Sequence, residues 1–68
     1  MEIEFGVETT FHYVNHKSRP AIRRAIPQRI YFGTSQYYHI PEMLMEAYDL
    51  DKQETRTFAI SKMVPEIW

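Results

Sequence analysis

The chain has 68 residues, a formal net charge of −1, 15% aromatic residues and no cysteine. So short a chain buries only one core, so residues 1–68 are expected to form a single domain without disulfides or thiolate metal sites. Its charge excludes attraction to nucleic acid through overall charge, and its stability must come from aromatic packing or from a second subunit.

The charged residues are unevenly distributed. The positive side chains cluster early, at Lys17, Arg19, Arg23, Arg24 and Arg29. The acidic side chains cluster later, at Glu42, Glu46, Asp49, Asp51 and Glu54. The opposite clusters suit charge matching within the fold or between subunits. No apolar run approaches the roughly 20 residues of a membrane span, and the N-terminal residues are acidic where a signal peptide is basic, so we expect a cytoplasmic protein.

The first half of the chain predicts two strands. Residues 9–14 alternate with period two, which places Phe11 and Tyr13 on the buried face. Residues 15–20 are rich in turn formers and basic groups and predict a hairpin loop. The next strand extends from about residue 21 to residue 32, and Pro27 predicts a bulge or bend within it, because proline cannot donate to a β ladder. Counting by twos places Arg24 among apolar side chains.

The second half predicts two more strands. Residues 42–49 could open a helix by propensity, but their length and the turn composition that follows favour a strand. Residues 54–60 alternate and place Arg56 on the apolar side with Phe58. Residues 61–64 could form one helical or 3₁₀ turn. The pattern predicts an all-β fold, a small antiparallel SH3-like or Sm-like barrel of four or five strands.

The order of these features resembles the WYL domain, and in particular the short WYL-like proteins of phage and prophage genomes. The matching segments span roughly residues 9–63 and are RRAIP at 23–27, IYFGTS at 30–35, HIP at 39–41, MLMEAYD at 43–49 and RTFAI at 56–60. The triplet that names the family falls on Met43, Leu44 and Met45, so its Trp and Tyr are missing. Methionine can replace a core aromatic with local repacking, so the implied fold survives this departure.

The resemblance implies a phage protein that binds a nucleotide or single-stranded nucleic acid. It transfers the ligand surface to at most four residues, Arg24, Tyr38, His39 and Arg56. A guanidinium on a core-facing position must reach the rim or be fully paired, and its planar donors suit phosphate. The alternative is a structural salt bridge to Glu46, Asp49 or Glu54.

A basic patch with interleaved aromatics extends the candidate site. Its tyrosines suit base stacking and its arginines suit phosphate binding. The alternative is that these aromatic residues simply cover a small core. The full set of candidate ligand-binding residues is Arg23, Arg24, Arg29, Tyr31, Tyr38, His39 and Arg56. The hydroxyls of Thr34 and Ser35 could cradle an anion, but initiating a turn is the preferred reading.

Metal binding and catalysis are not expected. The three histidines lie on different elements without ligand spacing, and no nucleophile or phosphate-loop motif is present. We therefore expect a non-enzymatic module without a cofactor that binds a nucleotide or short single-stranded nucleic acid. The alternative is a phage protein-interaction module that inhibits a host enzyme or defence complex. A homodimer is expected under either hypothesis, because Trp68, the Met-rich strand and the charge asymmetry leave adhesive surface.

Overall fold

A computed structural model describes residues 3–15, 17–35 and 39–64, with the side chain of Val64 left out. These residues form one antiparallel sheet and no α-helix. The elements are β1 (Thr9–Val14), β2 (Pro20–Gly33), β3 (Glu42–Asp49), β4 (Glu54–Ala59), a 3₁₀ turn (Ile60–Lys62) and the two-residue strand β5 (Met63–Val64). The predicted all-β class is confirmed, and residues 42–49 form the strand rather than the helix.

The spatial order of the strands is β4-β3-β2-β1-β5. Within the residues described, no strand pairing joins β4 to β5, so the sheet has two edges and is not closed by backbone hydrogen bonds. The closed barrel therefore stays a prediction. The described segments contain no helix long and apolar enough to cross a membrane.

Side-chain hydrogen bonds shape two of the three hairpin connections, those after β1 and after β3. Asn15 Oδ1 accepts the backbone N–H groups of Lys17 at 2.9 Å and Arg19 at 3.0 Å, which orders the predicted loop between β1 and β2. Asp49 Oδ1 accepts the N–H groups of Asp51 at 2.9 Å and Lys52 at 3.1 Å after β3. Aspartate and asparagine stabilise tight turns in this way, which is why these residues suit the positions where the strands end.

A β-bulge divides β2 between Pro27 and Arg29, as the proline predicted. The bulge changes which residues face the core. Before it, the wholly buried Ala25 lies inward, and after it the inward residue is Ile30, which packs against the core. Arg24 therefore lies on the outer face with half of its side chain exposed, and the prediction that it shares a face with the core is wrong. The prediction counted by twos from Ile22, which lies on the outer face, and so placed Arg24 on the wrong side of the strand.

The core lies between the inner faces of β1, β3 and β4. Phe11, Tyr13 and Phe58 contact one another edge to face, with ring centroids 5.0 to 6.2 Å apart. The buried Met45 and Met63 complete the same cluster. Aromatic pairs in this arrangement contribute about 0.5–1.5 kcal/mol beyond their burial, so three such contacts suit a domain without disulfides. The predicted burial of Phe11 and Tyr13 is confirmed.

The core also ties β1 to β4. The backbone N–H of Ala59 donates a hydrogen bond of 2.8 Å to the Tyr13 hydroxyl, at a buried position. After Ala59 the 3₁₀ turn leads into β5, which pairs with β1 through His12 and Tyr13. The two-residue strand β5 was missed in the sequence, because residues 63 and 64 are too few to show a period.

Candidate functional site

A pocket of about 610 Å³ lies beside β4. Its lining comes from two parts of the chain that are distant in sequence. Tyr31, Thr34 and Ser35 come from the end of β2 and the loop after it, and residues 54–57 come from β4. The lining is mostly polar: among the described residues it combines one aromatic ring, one guanidinium, one carboxylate and several hydroxyls. Such a volume lies within the range of about 300–1,000 Å³ that is typical of small-molecule sites.

Arg56 supplies the guanidinium of this pocket. It lies on the same side of β4 as the buried Phe58, but near the beginning of the strand, and 34% of its side chain is exposed. Among the described residues it forms an ion pair with Glu54, with Arg56 Nη1 and Glu54 Oε2 3.8 Å apart. At that distance the two groups attract each other without a short hydrogen bond. Arg56 therefore reaches the rim and also pairs weakly with Glu54, one of the three carboxylates considered in the sequence.

Tyr31 supplies the aromatic ring, and Arg29 lies over it. The guanidinium carbon of Arg29 is 4.4 Å from the ring centroid, within the range of a cation–π contact. Arg29 also donates from Nε and Nη2 to the Glu46 carboxylate, at 3.2 and 3.3 Å. The hydrogen bond to Glu46, together with its negative charge, raises the pKa of Arg29. Arg29 thus holds Tyr31 in place, and its own donors are turned to Glu46.

Arg24 lies in an ion pair away from the pocket lining. Its Nε and Nη2 donate to Asp51 Oδ1 at 3.3 and 3.0 Å, and Glu8 lies 4.0 Å from its Nη1. The hydrogen bond from Arg24 lowers the pKa of Asp51, with the positive charge of Arg24 adding to the effect. This is the structural salt bridge that the sequence left open, although its partner is Asp51 and not one of the three carboxylates considered.

Among the described residues, the predicted site residues Arg23 and His39 do not line the pocket. Arg23 lies opposite Phe11 on β2, and its side chain is half-buried. His39 is exposed and precedes β3. Tyr38 lies outside the described residues, as does Trp68. Of the seven candidates, the pocket brings together Tyr31 and Arg56, with Arg29 stacked on the ring of Tyr31.

Two threonines of β4 were missed by sequence reasoning. Thr55 and Thr57 alternate with charged and apolar residues, which is also the pattern of an ordinary edge strand. What distinguishes Thr55 and Thr57 from residues of an ordinary edge strand is the direction of their backbone N–H and C=O groups. Because the N–H of Ala59 donates to Tyr13, it points away from β3. Backbone groups alternate in direction along an antiparallel strand, so Thr55 and Thr57 also direct their N–H and C=O groups to the edge away from β3.

That edge of β4 has no strand beside it among residues 3–15, 17–35 and 39–64. The pocket therefore combines side-chain hydroxyls with backbone donors and acceptors that the sheet leaves unused. Within the same residues, no group of three His, Asp or Glu side chains is placed to hold a metal ion.

Comparison of the chain with protein-family models, with curated proteins and with solved structures gave no match.

Proposed function

We propose that the chain is a non-enzymatic binding module that takes a nucleotide, or one nucleotide of a short single strand, in the pocket beside β4. The observation that carries the proposal is the placement of Tyr31 and Arg56, from two different strands, in one pocket with the hydroxyl side chains of Thr34, Ser35, Thr55 and Thr57. An aromatic ring and a guanidinium in one groove are the usual pair for stacking a base and binding its phosphate.

The framework in this proposal is an SH3-like barrel of the WYL-like kind. Its support is the strand order β4-β3-β2-β1-β5, the long β2 bent by a bulge, and the 3₁₀ turn before β5. The phage origin implied by the resemblance belongs to the same proposal. The family triplet corresponds to residues 43–45 of β3, where Leu44 is wholly buried and Met43 is exposed.

Arg56 is the phosphate ligand. Its planar donors match two phosphate oxygens, and such charge-assisted bidentate contacts are stronger than hydrogen bonds between neutral groups. Glu54 competes only weakly at 3.8 Å, so a phosphate with better geometry displaces it. Because Arg29 occupies one face of Tyr31, the base stacks on the other face.

The charge of the pocket limits how many negative charges the ligand is expected to carry. Arg56 and Glu54 both line it, so their charges nearly cancel. A triphosphate brings several negative charges close to the Glu54 carboxylate, whereas a monophosphate or a phosphodiester brings one. We therefore expect a nucleoside monophosphate or a dinucleotide to bind more tightly than a nucleoside triphosphate.

Isothermal titration with AMP, ATP and a dinucleotide tests the proposal. We expect Arg56→Gln and Tyr31→Leu each to weaken AMP binding by roughly tenfold or more, which corresponds to the 1.4 kcal/mol typical of one good contact. Arg24→Gln is the matched control: it removes a guanidinium from β2 outside the pocket lining and leaves the affinity unchanged. Circular dichroism spectra of all three variants establish that they fold.

Two outcomes contradict the proposal. One is wild-type affinity in both pocket variants, because a site elsewhere would then bind the ligand. The other is the absence of heat and of any rise in melting temperature for the wild-type chain with every nucleotide, since a ligand that binds the folded state must stabilise it.

A second candidate, a protein-interaction module, is favoured by a different observation, the strand edge beside the pocket that no described strand covers.

A further inference from the structure

We propose that the open edge of β4 pairs with β4 of a second copy of the chain, in antiparallel orientation about a two-fold axis at Thr55. The inference goes beyond ligand binding and does not depend on it, but both use Glu54, Thr55 and Arg56, so a bound nucleotide competes with the pairing. It identifies which surface of this chain forms a homodimer and which residues set its register.

The edge of β4 lacks most of the features that protect strand edges from pairing, within the residues that the structure describes. Natural sheets cover such edges, interrupt them with Pro, Lys or a bulge, or place charged side chains on the inward face, and of these devices β4 has only the charged pair Glu54 and Arg56. β4 has the sequence ETRTFA, contains neither Pro nor Lys, and pairs with β3 without a register shift. The opposite edge of the sheet is the two-residue strand β5, which is too short to offer a comparable ladder. Of the two edges that the described strands leave open, β4 is therefore the longer.

The backbone groups available on this edge limit the possible registers. The backbone N–H and C=O groups of Thr55 and Thr57 point away from β3. The N–H of Ala59 points the same way but is already bonded to Tyr13. Pairing about Thr57 would place Thr55 opposite Ala59, whose N–H is bonded to Tyr13, so it loses the same kind of hydrogen bond that the Thr55 register loses at Gln53; it also places Arg56 opposite the apolar Phe58. Pairing about Thr55 places that residue opposite its own copy, and the two exchange a pair of N–H···O=C bonds.

The charges select among these registers. Pairing about Arg56 would place two guanidinium groups directly opposite each other, which is unfavourable. Pairing about Thr55 places Glu54 of each copy opposite the same-face Arg56 of the other. The sequence Glu-Thr-Arg is thus complementary to itself when the strands are antiparallel. Both side chains are available for this contact, since they are 63% and 34% exposed and only 3.8 Å from each other in one chain.

The resulting ladder is short. It consists of the two bonds at Thr55, with Thr57 facing Gln53, whose own N–H already donates to Asp49 O at 2.7 Å. Two ion pairs at a strand edge add little each. We therefore expect a dimer that dissociates on dilution, and its register is set by charge rather than by apolar burial.

Sedimentation equilibrium of the ligand-free chain between about 10 and 500 µM tests this pairing. The wild-type chain is expected to change from monomer to dimer across that range. Glu54→Arg and Arg56→Glu each place like charges opposite one another, and each is expected to weaken the dimer by roughly tenfold. The double variant, Glu54→Arg with Arg56→Glu, exchanges the two charges and is expected to restore most of the association.

Arg19→Glu is the control for a charge reversal elsewhere, because Arg19 is exposed in the loop between β1 and β2. It is expected to leave the dimer unchanged. A monomer at every concentration overturns the proposal, and so does a dimer that both single variants leave intact. A double variant no better than the single ones also overturns it, since the charges then do not face each other. Melting curves of each variant exclude unfolding as the cause of a lost dimer.

Discussion

The two ends of β4 use the same backbone geometry in opposite ways. At the Ala59 end, the outward N–H donates to the buried hydroxyl of Tyr13, and the neighbouring Phe58 packs between the rings of β1. At the Thr55 end, the outward groups meet no strand in the described part of the chain and lie beside a pocket. The Ala59 end of the strand therefore belongs to the core, and the Thr55 end has backbone groups available for binding.

The difference comes from a single side chain on β1. Tyr13 reaches across the core and accepts a hydrogen bond from one backbone group of β4, the N–H of Ala59. Buried backbone groups are almost always hydrogen-bonded within the fold, whereas exposed ones are free to form hydrogen bonds with a ligand or with another chain. In this domain, stability and binding are thus divided along one strand of six residues.

Truncating one residue at each end should produce very different losses of stability. Phe58→Ala removes a buried ring that contacts Phe11 and Tyr13, and we expect a loss of about 3–5 kcal/mol. Thr57→Ala removes a partly exposed side chain, and we expect a change within about 0.5 kcal/mol. Urea denaturation measures both. Similar losses in the two variants would mean that the Thr55 end is also part of the core.

Removing only the Tyr13 hydroxyl is a finer test of the same division. Tyr13→Phe keeps the ring but leaves the buried N–H of Ala59 without an acceptor, so we expect a loss of about 1–3 kcal/mol. Tyr48→Phe, which removes a hydroxyl from the outer face, is the control and should have little effect. Equal and negligible changes in the two variants would show that Ala59 does not need Tyr13.

The smallest expected effect concerns the Arg24–Asp51 pair, outside both ends of β4. Because the pKa of Asp51 is lowered in the folded chain, the pair stabilises the protein above the ordinary aspartate pKa of about 3.9. That contribution is lost as the pH falls through the lower pKa of the folded state. Asp51→Asn should therefore lower the melting temperature slightly at pH 7 and not at pH 2.

Glu4→Gln, at an exposed position before β1, is the control for that pH series. If Asp51→Asn has the same effect on the melting temperature at pH 7 and at pH 2, the ion pair contributes nothing that depends on ionisation.

Most of the strands follow from alternation along the chain. β1, β3 and β4 have uninterrupted registers, so counting by twos places Phe11, Met45 and Phe58 inward. In β2 the same counting fails, because the apolar Ile22 lies outside with 56% exposure and counting from it places Arg24 on the wrong face; the bulge after Pro27 then reverses which residues face inward. Proline indicated the bulge, but only the pairing with β1 shows that Ala25, and not Arg24, is buried.

The candidate site was harder to predict than the fold. Arg24 and Arg56 look alike in the sequence, since each interrupts an apolar alternation. They differ in their surroundings: Arg24 donates twice to Asp51, 27 residues away, whereas Arg56 has Glu54 on its own strand. The meeting of Thr34 and Ser35 with β4 is likewise a long-range contact that no local pattern encodes.

The most direct test of the account is amide hydrogen exchange along β4, followed by NMR at a concentration where the chain is a monomer. Backbone groups paired within the fold exchange slowly, and unpaired groups at an edge exchange quickly. We expect protection at Arg56 and Phe58, which face β3, and at Ala59, which donates to Tyr13. The amides of Thr55 and Thr57 should exchange much faster. Equal protection at all five positions would contradict the open edge on which the binding site and the dimer both depend.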